Sequence, residues 1–311
     1  MSVVSSIRVP CSTSNLGPGF DCLGLALSLW LDVRLLGPAT GEHSILVART
    51  GEASSWPSAG DRLLQAFDAA RALVGAPPQR FEARSEIPVG RGFGSSGSAT
   101  AAGLLFAASL AADGTNASKL MTQLHRIGVE QEGHPDNVTA SLFGGLTVCH
   151  PSAAGGEPLV ACEPLSNELA FVLAWSEQTL PTARARSVLP TEVAFEAAVD
   201  NPRRLALLLA GLRDADEGLL RAGAVDHLHE AHRIPLIHGA RETLDAARES
   251  GAWAASVSGA GSGLVAITTP DRAGTVAEAM RETLARHVDR AHTRVVEAVT
   301  ERPRVRAQDG A

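Results

Sequence analysis

The stretch IPVGRGFGSSGSATAAGLLFAASLAA, residues 87–112, joins a glycine-rich loop directly to a run of small apolar residues. Glycine adopts positive φ without a steric cost, so the loop can turn backbone N–H groups toward a ligand. The small residues predict a helix from about Ser98 to Ala112, and the start of a helix carries roughly half a positive charge. Loop and helix together predict an anion site suited to a di- or triphosphate. The groups expected to face the anion are Gly90, Gly92, Gly94, Gly97, Ser95, Ser96 and Ser98.

The same loop contains the pattern G-x-G-x-x-G at Gly92, Gly94 and Gly97, which also occurs in dinucleotide-binding folds. That motif follows a strand that is apolar throughout, whereas FEARSEIPV alternates charged and apolar residues. Asp113 lies about 20 residues further on, the spacing of a ribose-binding acid, but in a DGTN turn rather than at the end of a strand. The dinucleotide interpretation is therefore weak, and a loop that only caps the helix is the remaining alternative.

Composition and charge limit the classes of protein. The chain has 311 residues, enough for two lobes, and its 45% apolar and 20% charged residues are ordinary for a globular protein. The net charge of −7 argues against nucleic acid or a membrane surface as partner. No apolar run approaches the roughly 18–20 residues that cross a bilayer, and the N-terminus lacks a signal-peptide pattern. The cysteines show no C-x-x-C spacing, so we expect free thiols and a cytoplasmic location.

Two residue types often used in phosphate chemistry are scarce here. Lys119 is the only lysine, and it follows a serine rather than a glycine, so the chain has no Walker A loop. The chain has no tyrosine. Tyrosine catalysis is excluded and lysine catalysis nearly so, which leaves backbone amides, arginine or a metal to hold any phosphate.

Apolar periodicity divides the chain into two halves. Strands are predicted at SSIRV, LWLDVRLL, SILVART, RFEARSEIPV and GGLTVCH, with helices at DRLLQAFDAARALVG, capped by Asp61, and at about 98–112 and 117–130. The glycine-rich segment SAAGGEP, 152–158, is the predicted boundary, which gives domains of residues 1–152 and 153–311. The second half predicts strands at ELAFVLAW and on both sides of the glycine turn in AWAASVSGAGSGLVAIT, and helices across 191–222, 239–250 and from about Asp271.

Three further segments concentrate polar groups around turns. The first motif, VPCSTSNLGPGFDCLGLAL (9–27), surrounds a G-P-G turn with hydroxyl, amide and carboxylate side chains. The third motif, SVSGAGSGLVAI (256–267), predicts strand, glycine turn and strand. The stretch EGHPDNVTASLFGGL (132–146) places Glu132, His134, Asp136 and Asn137 within six residues. Each segment alone could be a plain polar turn.

Taken in order, the three glycine motifs resemble those of the GHMP kinase superfamily, which includes galactokinases, homoserine kinases and mevalonate kinases. Its middle motif, P-x-G-x-G-x-G-S-S, is matched by Pro88, Gly90, Gly92, Gly94, Ser95 and Ser96. STSNLGPGFDCLGLAL and EGHPDNV are most similar to bacterial homoserine kinases, and the resemblance spans roughly residues 7–270. Ser262 replaces the proline usual in the third motif, and Phe93 replaces a common leucine in the loop. The glycines remain in both places.

The resemblance implies an α+β, two-lobe GHMP kinase fold. Its N-terminal, ATP-binding lobe would be like ribosomal protein S5, with a left-handed β-α-β unit, and its C-terminal lobe would be ferredoxin-like. The implied activity is ATP- and Mg²⁺-dependent phosphorylation of L-homoserine to O-phospho-L-homoserine, a step of threonine biosynthesis. A GHMP kinase for another small alcohol and a relative that only binds ligand are the alternatives. No nucleic-acid or membrane partner is expected, and a homodimer is left open.

The resemblance also implies roles for individual residues. Glu132 and Ser96 would ligate Mg²⁺, with Glu130 as a competing ligand. The ATP phosphates would lie on Pro88, Val89, Gly90, Arg91, Gly92, Phe93, Gly94, Ser95, Ser96, Gly97 and Ser98. The amino-acid substrate would contact Asn15, Asp21, His134, Asp136, Asn137, Arg186, Arg233, Gly259 and Gly261, with the arginines on its α-carboxylate. Asp136 and Asp21 are the candidate bases if the reaction uses one, because homoserine kinases are thought to lack a committed base.

Two other enzyme classes find little support. HLHEAHRIPLIH contains the four histidines His227, His229, His232 and His238. The zinc-protease motif needs histidines four apart on a helix, whereas His229 and His232 are three apart. The pattern G-x-S-x-G is absent from the sequence, which argues against a serine-hydrolase elbow.

Overall fold

A computed structural model describes residues 5–57, 60–151 and 156–307 of the chain. The strands are β1 (Ser5–Asn15), β2 (Gly19–Pro38), β3 (Ile45–Gly51), β4 (Gln79–Ser85), β5 (Leu146–His150), β6 (Leu159–Glu163), β7 (Ala170–Ser176), β8 (Ala254–Val257), β9 (Leu264–Thr268), β10 (Ala291–Val296) and β11 (Arg306–Ala307). The helices are α1 (Arg62–Val74), α2 (Ser95–Ser109), α3 (Ala117–Glu132), α4 (Asp136–Phe143), α5 (Thr182–Ser187), α6 (Phe195–Asp214), α7 (Glu217–Gly223), α8 (Glu230–Arg233), α9 (Ala240–Glu249) and α10 (Pro270–Leu284). Within the described ranges, no helix is both long and apolar enough to span a bilayer.

The first sheet is built on the antiparallel pair of β1 and β2. β2 continues to β4, and β3 pairs parallel with β4 after the chain has crossed over through α1. β5 pairs with the beginning of β2, β6 pairs with β5, and β11 covers the outer edge of β1. Alternating residues give β4 one buried face, as the two-residue period of a strand requires. This sheet carries the first motif at the turn between β1 and β2.

Helix α2 is buried on nearly every side because its residues are small. It packs against α1, α3 and α4 and lies on β1. Gly103 allows the close approach of α1, since a Cβ there would lie 2.4 Å from the carbonyl oxygen of Leu63. A helix that is apolar all round belongs in a core. The N-terminus of α2 is therefore a fixed point, and the glycine loop that precedes it is held in place.

The second sheet has the order β10-β7-β9-β8, with every neighbouring pair antiparallel. Counted along the chain within this lobe, that order is fourth, first, third, second, which is the ferredoxin-like arrangement. α9 and α10 cover one face, where Leu244, Val276 and Met280 are buried. The two-lobe α+β fold expected from the resemblance is thereby confirmed.

Most predicted elements are present, with shifted ends. Asp61 caps α1, because its Oδ1 accepts from the N–H groups of Leu63 and Leu64 at 3.1 and 3.3 Å. α2 begins at Ser95, earlier than predicted, so all three loop serines belong to its first turn. The third motif forms the predicted strand, turn and strand as β8 and β9. α4, which holds Asp136 and Asn137, was not predicted. β4, the strand before the glycine loop, pairs antiparallel with β2. The dinucleotide-binding motif follows a strand of a parallel sheet, so that interpretation of the loop is ruled out.

The predicted domain boundary falls partly on residues 152–155, which lie outside the described residues. β6, beyond that boundary, still belongs to the first sheet, and β7 begins the second sheet at Ala170. Sheet membership therefore changes between Glu163 and Ala170, and the division at 152/153 stays a prediction. At the other end of the chain, β11 pairs with β1, which ties Arg306 and Ala307 to the first sheet.

Candidate active site

A cavity of about 380 Å³ lies where the three glycine motifs and the EGHPDNV segment (132–138) meet. The predicted site residues on its wall are Asn15, Asp21, Pro88, Val89, Gly90, Gly92, Phe93, Gly94, Ser95, Ser96, Gly97, Glu132, His134, Asp136, Asn137, Arg186, Arg233, Gly259 and Gly261. Residues that are far apart in sequence thus come together around one cavity. If each motif were only a polar turn, the motifs would not need to meet in this way.

The glycine loop (87–98) depends on positive φ and on close backbone contacts. Gly92 and Gly94 have φ of 75° and 66°. A Cβ at Gly92 would lie 2.0 Å from the carbonyl oxygen of Ser258, and one at Gly94 would lie 2.0 Å from Ser12 Oγ. The loop is therefore wedged between the first and third motifs, and glycine is needed there for packing as well as for the approach of a ligand.

Two predicted phosphate contacts point elsewhere. Arg91 donates from Nε to the carbonyl oxygen of Ser176 and from Nη2 to Glu177, which turns it toward the end of β7. The hydroxyl of Ser98 is buried and donates to the carbonyl oxygen of Pro10 at 2.8 Å. We therefore withdraw the Arg91 and Ser98 side chains from the set expected to face phosphate. Arg91 instead holds the loop against the second sheet.

Glu132, the last residue of α3, reaches the first turn of α2. Its Oε1 accepts from Ser96 Oγ at 2.7 Å and from Thr100 Oγ1 at 2.8 Å. Both donors use the same oxygen, so Oε2 has no protein donor among the described residues. Arg62 Nε lies 3.9 Å from Oε1. The side chain is only 5% exposed and lines the cavity beside the first turn of α2.

The competing residue Glu130 lies outside the cavity. Its side chain is 67% exposed and pairs with Arg126 at 3.9 Å on the surface of α3. A divalent metal with hard-oxygen preference binds one or two protein groups together with phosphate and water. The adjacent Ser96 hydroxyl and Glu132 carboxylate fit that requirement, whereas Glu130 does not. No cluster of three or more His, Cys, Asp or Glu side chains suited to a metal occurs in the described part of the chain.

His134 and Asp136 form a buried pair in the EGHPDNV segment. Asp136 Oδ1 lies 2.8 Å from His134 Nδ1 and accepts from the backbone and side-chain nitrogens of Asn137 at 2.7 and 3.0 Å. Burial alone would raise the pKa of Asp136, but the hydrogen bond and charge of His134 and the Asn137 amide lower it. Burial alone would lower the pKa of His134, but Asp136 raises it. Asp136 is therefore a weak base.

Asn137 links the EGHPDNV segment to the first motif. Its Nδ2 donates to Ser14 Oγ at 2.9 Å, and its Oδ1 accepts from Ser12 Oγ at 2.9 Å. Asn15 in turn donates to the carbonyl oxygen of Gly259 at 2.9 Å, which joins the first motif to the third. Each of these amides is held in one orientation by the partners of both its ends. The cavity floor is thus a connected hydrogen-bond network.

Two arginines approach the cavity from the second lobe. Arg186 of α5 donates from Nη1 and Nη2 to the two oxygens of Asp21 at 2.9 and 2.7 Å. Arg233 of α8 is only 1% exposed, and its hydrogen-bond acceptors among the described residues are uncharged, including the carbonyl oxygen of Gly259 at 3.0 Å. It makes no ion pair with a carboxylate of the described residues. A buried guanidinium without an anion is costly, so this end of the cavity is suited to an anionic ligand group.

Sequence reasoning missed several residues of the cavity wall. Trp56, Asp61, Arg62, Leu180 and Thr182 also line it. Phe20 was missed too, although its ring lies 5.0 Å below the guanidinium carbon of Arg233 and 5.8 Å from that of Arg186. The position of Phe20 beside Asp21 in the first motif was a usable signal. The others lie in segments that carry no glycine motif, and of these only Asp61 stood out in the sequence, as a helix cap rather than as a site residue.

The histidines of HLHEAHRIPLIH do not gather around one point. His227 Nε2 lies 2.9 Å from Asp200 on the surface, whereas the buried His229 contacts the carbonyl oxygen of Gly17 at 2.8 Å. The zinc interpretation is therefore wrong for this segment.

The two lobes, the glycine loop at a helix N-terminus and the Ser96–Glu132 pair define the class of protein as a small-molecule kinase. Family models agree with this class. The GHMP kinases N-terminal domain model matches residues 61–145, and the GHMP kinases C-terminal model matches residues 206–286.

Similar proteins narrow the class further. A homoserine kinase of Synechococcus sp. (strain RCC307) is 40% identical over 282 residues, covering 89% of this chain and 88% of the relative. A homoserine kinase of Moorella thermoacetica is 38% identical over 271 residues, covering 84% and 86%. The chain therefore belongs to the GHMP kinase family, within its homoserine kinase branch.

Solved structures support the fold. A homoserine kinase from Cytophaga hutchinsonii has a TM-score of 0.83 at 24% identity, with 98% of each chain covered. A mevalonate kinase has a TM-score of 0.65 at 12% identity, with 95% of this chain and 99% of that chain covered. At these identities the likeness concerns the fold alone.

Proposed function

We propose that the protein transfers the γ-phosphoryl group of ATP to the side-chain hydroxyl of L-homoserine. The observation that carries the proposal is one cavity lined by two different sets of groups. The glycine loop and Glu132 form one set, and Arg186, Arg233 and Asp21 form the other. A phosphate donor and a small zwitterion fit these two sets, and the curated relatives are homoserine kinases at up to 40% identity.

The ATP phosphates would lie on the glycine loop, where backbone N–H groups and the N-terminus of α2 provide positive potential. Ser96 and Glu132 would hold Mg²⁺, which neutralises charge on the phosphates when it is bound. Arg62, 3.9 Å from Glu132, adds a cation on the same side of the cavity. A chain with one lysine relies on these groups in place of a phosphate-binding lysine.

The substrate would bind between the two lobes. Arg233 and Arg186 would donate hydrogen bonds to its α-carboxylate, because a guanidinium fork fits a carboxylate. Asp21 and Asn15 would face its ammonium group, and Asn137 its hydroxyl. The lowered pKa of Asp136 makes proton abstraction by this carboxylate unfavourable. Both oxygens of Asp21, the other candidate base, accept from Arg186. We therefore propose catalysis by positioning and charge stabilisation, without a committed carboxylate base.

The proposed activity implies a metabolic role, a location and a metal. The product, O-phospho-L-homoserine, would serve threonine biosynthesis in the cytoplasm, and the metal would be Mg²⁺. We also propose that residues 1–152 form the ATP-binding domain and that residues 153–311 form the domain that supplies the arginines.

The proposal is tested by a coupled assay of ADP release with L-homoserine, mevalonate and galactose as acceptors, with and without Mg²⁺. We expect turnover of L-homoserine alone and loss of turnover with EDTA. Turnover of mevalonate or galactose with none of homoserine would leave the kinase class intact and contradict the acceptor. Release of ADP at the same rate with no acceptor would contradict phosphoryl transfer to an alcohol.

A further inference from the structure

His229 is a fully buried histidine that borders the proposed carboxylate site without lining the cavity itself. Its side chain is 0% exposed, and its ring stacks on that of Phe20 at a centroid distance of 4.9 Å. Its two ring nitrogens have different partners. Nε2 lies 2.8 Å from the carbonyl oxygen of Gly17, and Nδ1 lies 3.3 Å from Arg233 Nη1.

These partners fix the protonation state of the ring. A carbonyl oxygen only accepts, so Nε2 carries the hydrogen. A guanidinium only donates, so Nδ1 is the acceptor. The ring is therefore neutral. Burial, the largest cause, lowers the pKa of His229, which agrees with this state, although Asp226 at 3.8 Å acts in the opposite direction.

Asp226 holds the histidine in place and forms no hydrogen bond or ion pair with Arg233. Its Oδ2 accepts from the backbone N–H groups of Leu228, His229 and Glu230 at 3.1, 2.7 and 2.8 Å. These bonds fix the first turn of α8, which carries both His229 at its start and Arg233 at its end. The two side chains are four residues apart, so one helical turn brings them together.

The other contacts of Arg233 are uncharged as well. Nη1 donates to the carbonyl oxygen of Gly259 at 3.0 Å, and Nε lies 3.4 Å from that of Ala185. Phe20 supports the guanidinium from below at 5.0 Å. Neutral acceptors orient a guanidinium but do not neutralise its charge, whereas a carboxylate at position 229 would do both.

We propose that His229 is a positioning residue for the reaction: as an uncharged acceptor it fixes the orientation of Arg233 and leaves the arginine's positive charge for the carboxylate of the substrate. This inference rests on the proposed function, because it concerns the carboxylate end of the same cavity. It explains why a histidine occupies this place, since a neutral imidazole offers a donor and an acceptor on opposite sides of one ring.

Three substitutions separate the properties of the ring. His229→Gln places an amide N–H near the position of Nε2 and removes the Nδ1 acceptor. His229→Asn places a carbonyl oxygen near the position of Nδ1 and keeps that acceptor. His229→Asp has the shape of the asparagine variant but adds a negative charge. We expect Gln and Asp to raise the KM for L-homoserine at least tenfold, and Asn to stay within about threefold of the parent.

The readouts distinguish positioning from a general structural role. The kcat and the KM for ATP should stay within about twofold in all three variants. 3-Aminopropan-1-ol has the hydroxyl and ammonium groups of homoserine but no carboxylate, so its kcat/KM should hardly differ between the parent and His229→Gln. A parent KM in His229→Gln, equal damage by Gln and Asn, or the same loss for both acceptors would overturn the inference.

If the variants do not fold, the inference can still be tested by a measurement on the parent protein. ¹⁵N-labelled histidine spectra report which ring nitrogen carries a hydrogen. At pH 7 we expect one buried histidine in the neutral Nε2–H form whose signals disappear in His229→Asn. A doubly protonated or Nδ1–H ring for His229 would overturn the inference. Failure of the parent to phosphorylate L-homoserine would instead contradict the proposed function, which the first assay detects separately.

Discussion

Asp21 and Arg186, 165 residues apart in sequence, join the two lobes across the cavity through a pair of hydrogen bonds of 2.9 and 2.7 Å. The arrangement uses both oxygens of the carboxylate and both terminal nitrogens of the guanidinium. We assign these two residues to the two oppositely charged groups of a zwitterionic substrate, and their contact places the two charges side by side. A substrate that carries both charges on one carbon matches this spacing.

Removing one member of that pair should impair acceptor binding more than nucleotide binding. Arg186→Met keeps the length of the side chain and removes its charge, so the KM for L-homoserine should rise at least tenfold, about 1.4 kcal/mol. The KM for ATP should change little. Arg184→Met on the same short helix is the matched control, because Arg184 does not line the cavity. Equal effects of the two substitutions on homoserine would remove Arg186 from the proposed site.

Glu132 should be needed for turnover. Glu132→Gln preserves size and removes the charge proposed to hold the metal, so kcat should fall by on the order of 10²-fold or more. Glu130→Gln, two residues away on the exposed side of α3, should remain close to the parent. Steady-state kinetics over a range of Mg²⁺ concentrations measures both. A parent-like kcat for Glu132→Gln at every Mg²⁺ concentration would move the metal to another ligand.

Gly94 should matter for folding before it matters for catalysis. Gly94→Ala forces a Cβ toward Ser12 Oγ at a residue with φ of 66°. We expect a loss of roughly 2–4 kcal/mol in the free energy of unfolding, from strain and overpacking together. Gly114→Ala also lies at positive φ but meets nothing within 4 Å, so it should cost only about 1–2 kcal/mol. Urea unfolding of both variants gives the comparison, and equal losses would mean that the contact with Ser12 is relieved without cost.

The His134–Asp136 pair should stabilise the fold over a limited range of pH. The pKa of Asp136 is lowered in the fold, so its contribution is present above its unfolded value of about 3.9 and is lost as pH falls through the folded pKa. The pKa of His134 is raised, so its contribution is complete below about 6.5 and is lost as pH rises through the folded pKa. The pair is therefore strongest between about pH 4 and 6.5.

His134→Gln measures this contribution. We expect the free energy of unfolding to fall by about 1.5–3 kcal/mol at pH 5.5, the range for a hydrogen bond to a charged group, and by clearly less at pH 9. His43→Gln is the control, because His43 is 85% exposed where it approaches Asp68 at 3.8 Å, and it should lose little at either pH. The same loss for His134→Gln at both values would show that the pair does not act through charge.

The parts of the fold that could be predicted are those with short-range signals. Gly92 and Gly94 predicted the loop because only glycine adopts positive φ at little cost. Asp61 predicted the start of α1 because it is a good helix cap. α4 was missed because His134-Pro135 interrupts the pattern and because Asn137 is turned inward by its hydrogen bonds with Ser12 and Ser14 of the first motif. Partners that come from distant segments leave no local trace in the sequence.

The same reason explains the errors in the site. In the sequence Ser98 is indistinguishable from Ser95 and Ser96. Its position on α2 turns its hydroxyl away from the cavity and toward the carbonyl oxygen of Pro10. Glu130 stayed a competitor of Glu132 because the two lie only two positions apart on α3, whereas their exposures of 67% and 5% separate them. Side-chain direction on a helix, rather than residue type, was the missing information.

The close fit of Gly92 against Ser258 has a consequence for how such a chain can be divided. Ser258 Oγ donates to the carbonyl oxygen of Gly92 at 2.7 Å, and the N–H of Gly263 donates to that of Arg91 at 2.9 Å. A fragment that ends near Glu163 contains the whole glycine loop but lacks the glycine turn of the third motif, which holds the loop in shape. Such a fragment should bind nucleotide only after the complementary fragment is added. By the same reasoning, chimaeras between relatives should stay active only when the loop and the turn are inherited from one parent.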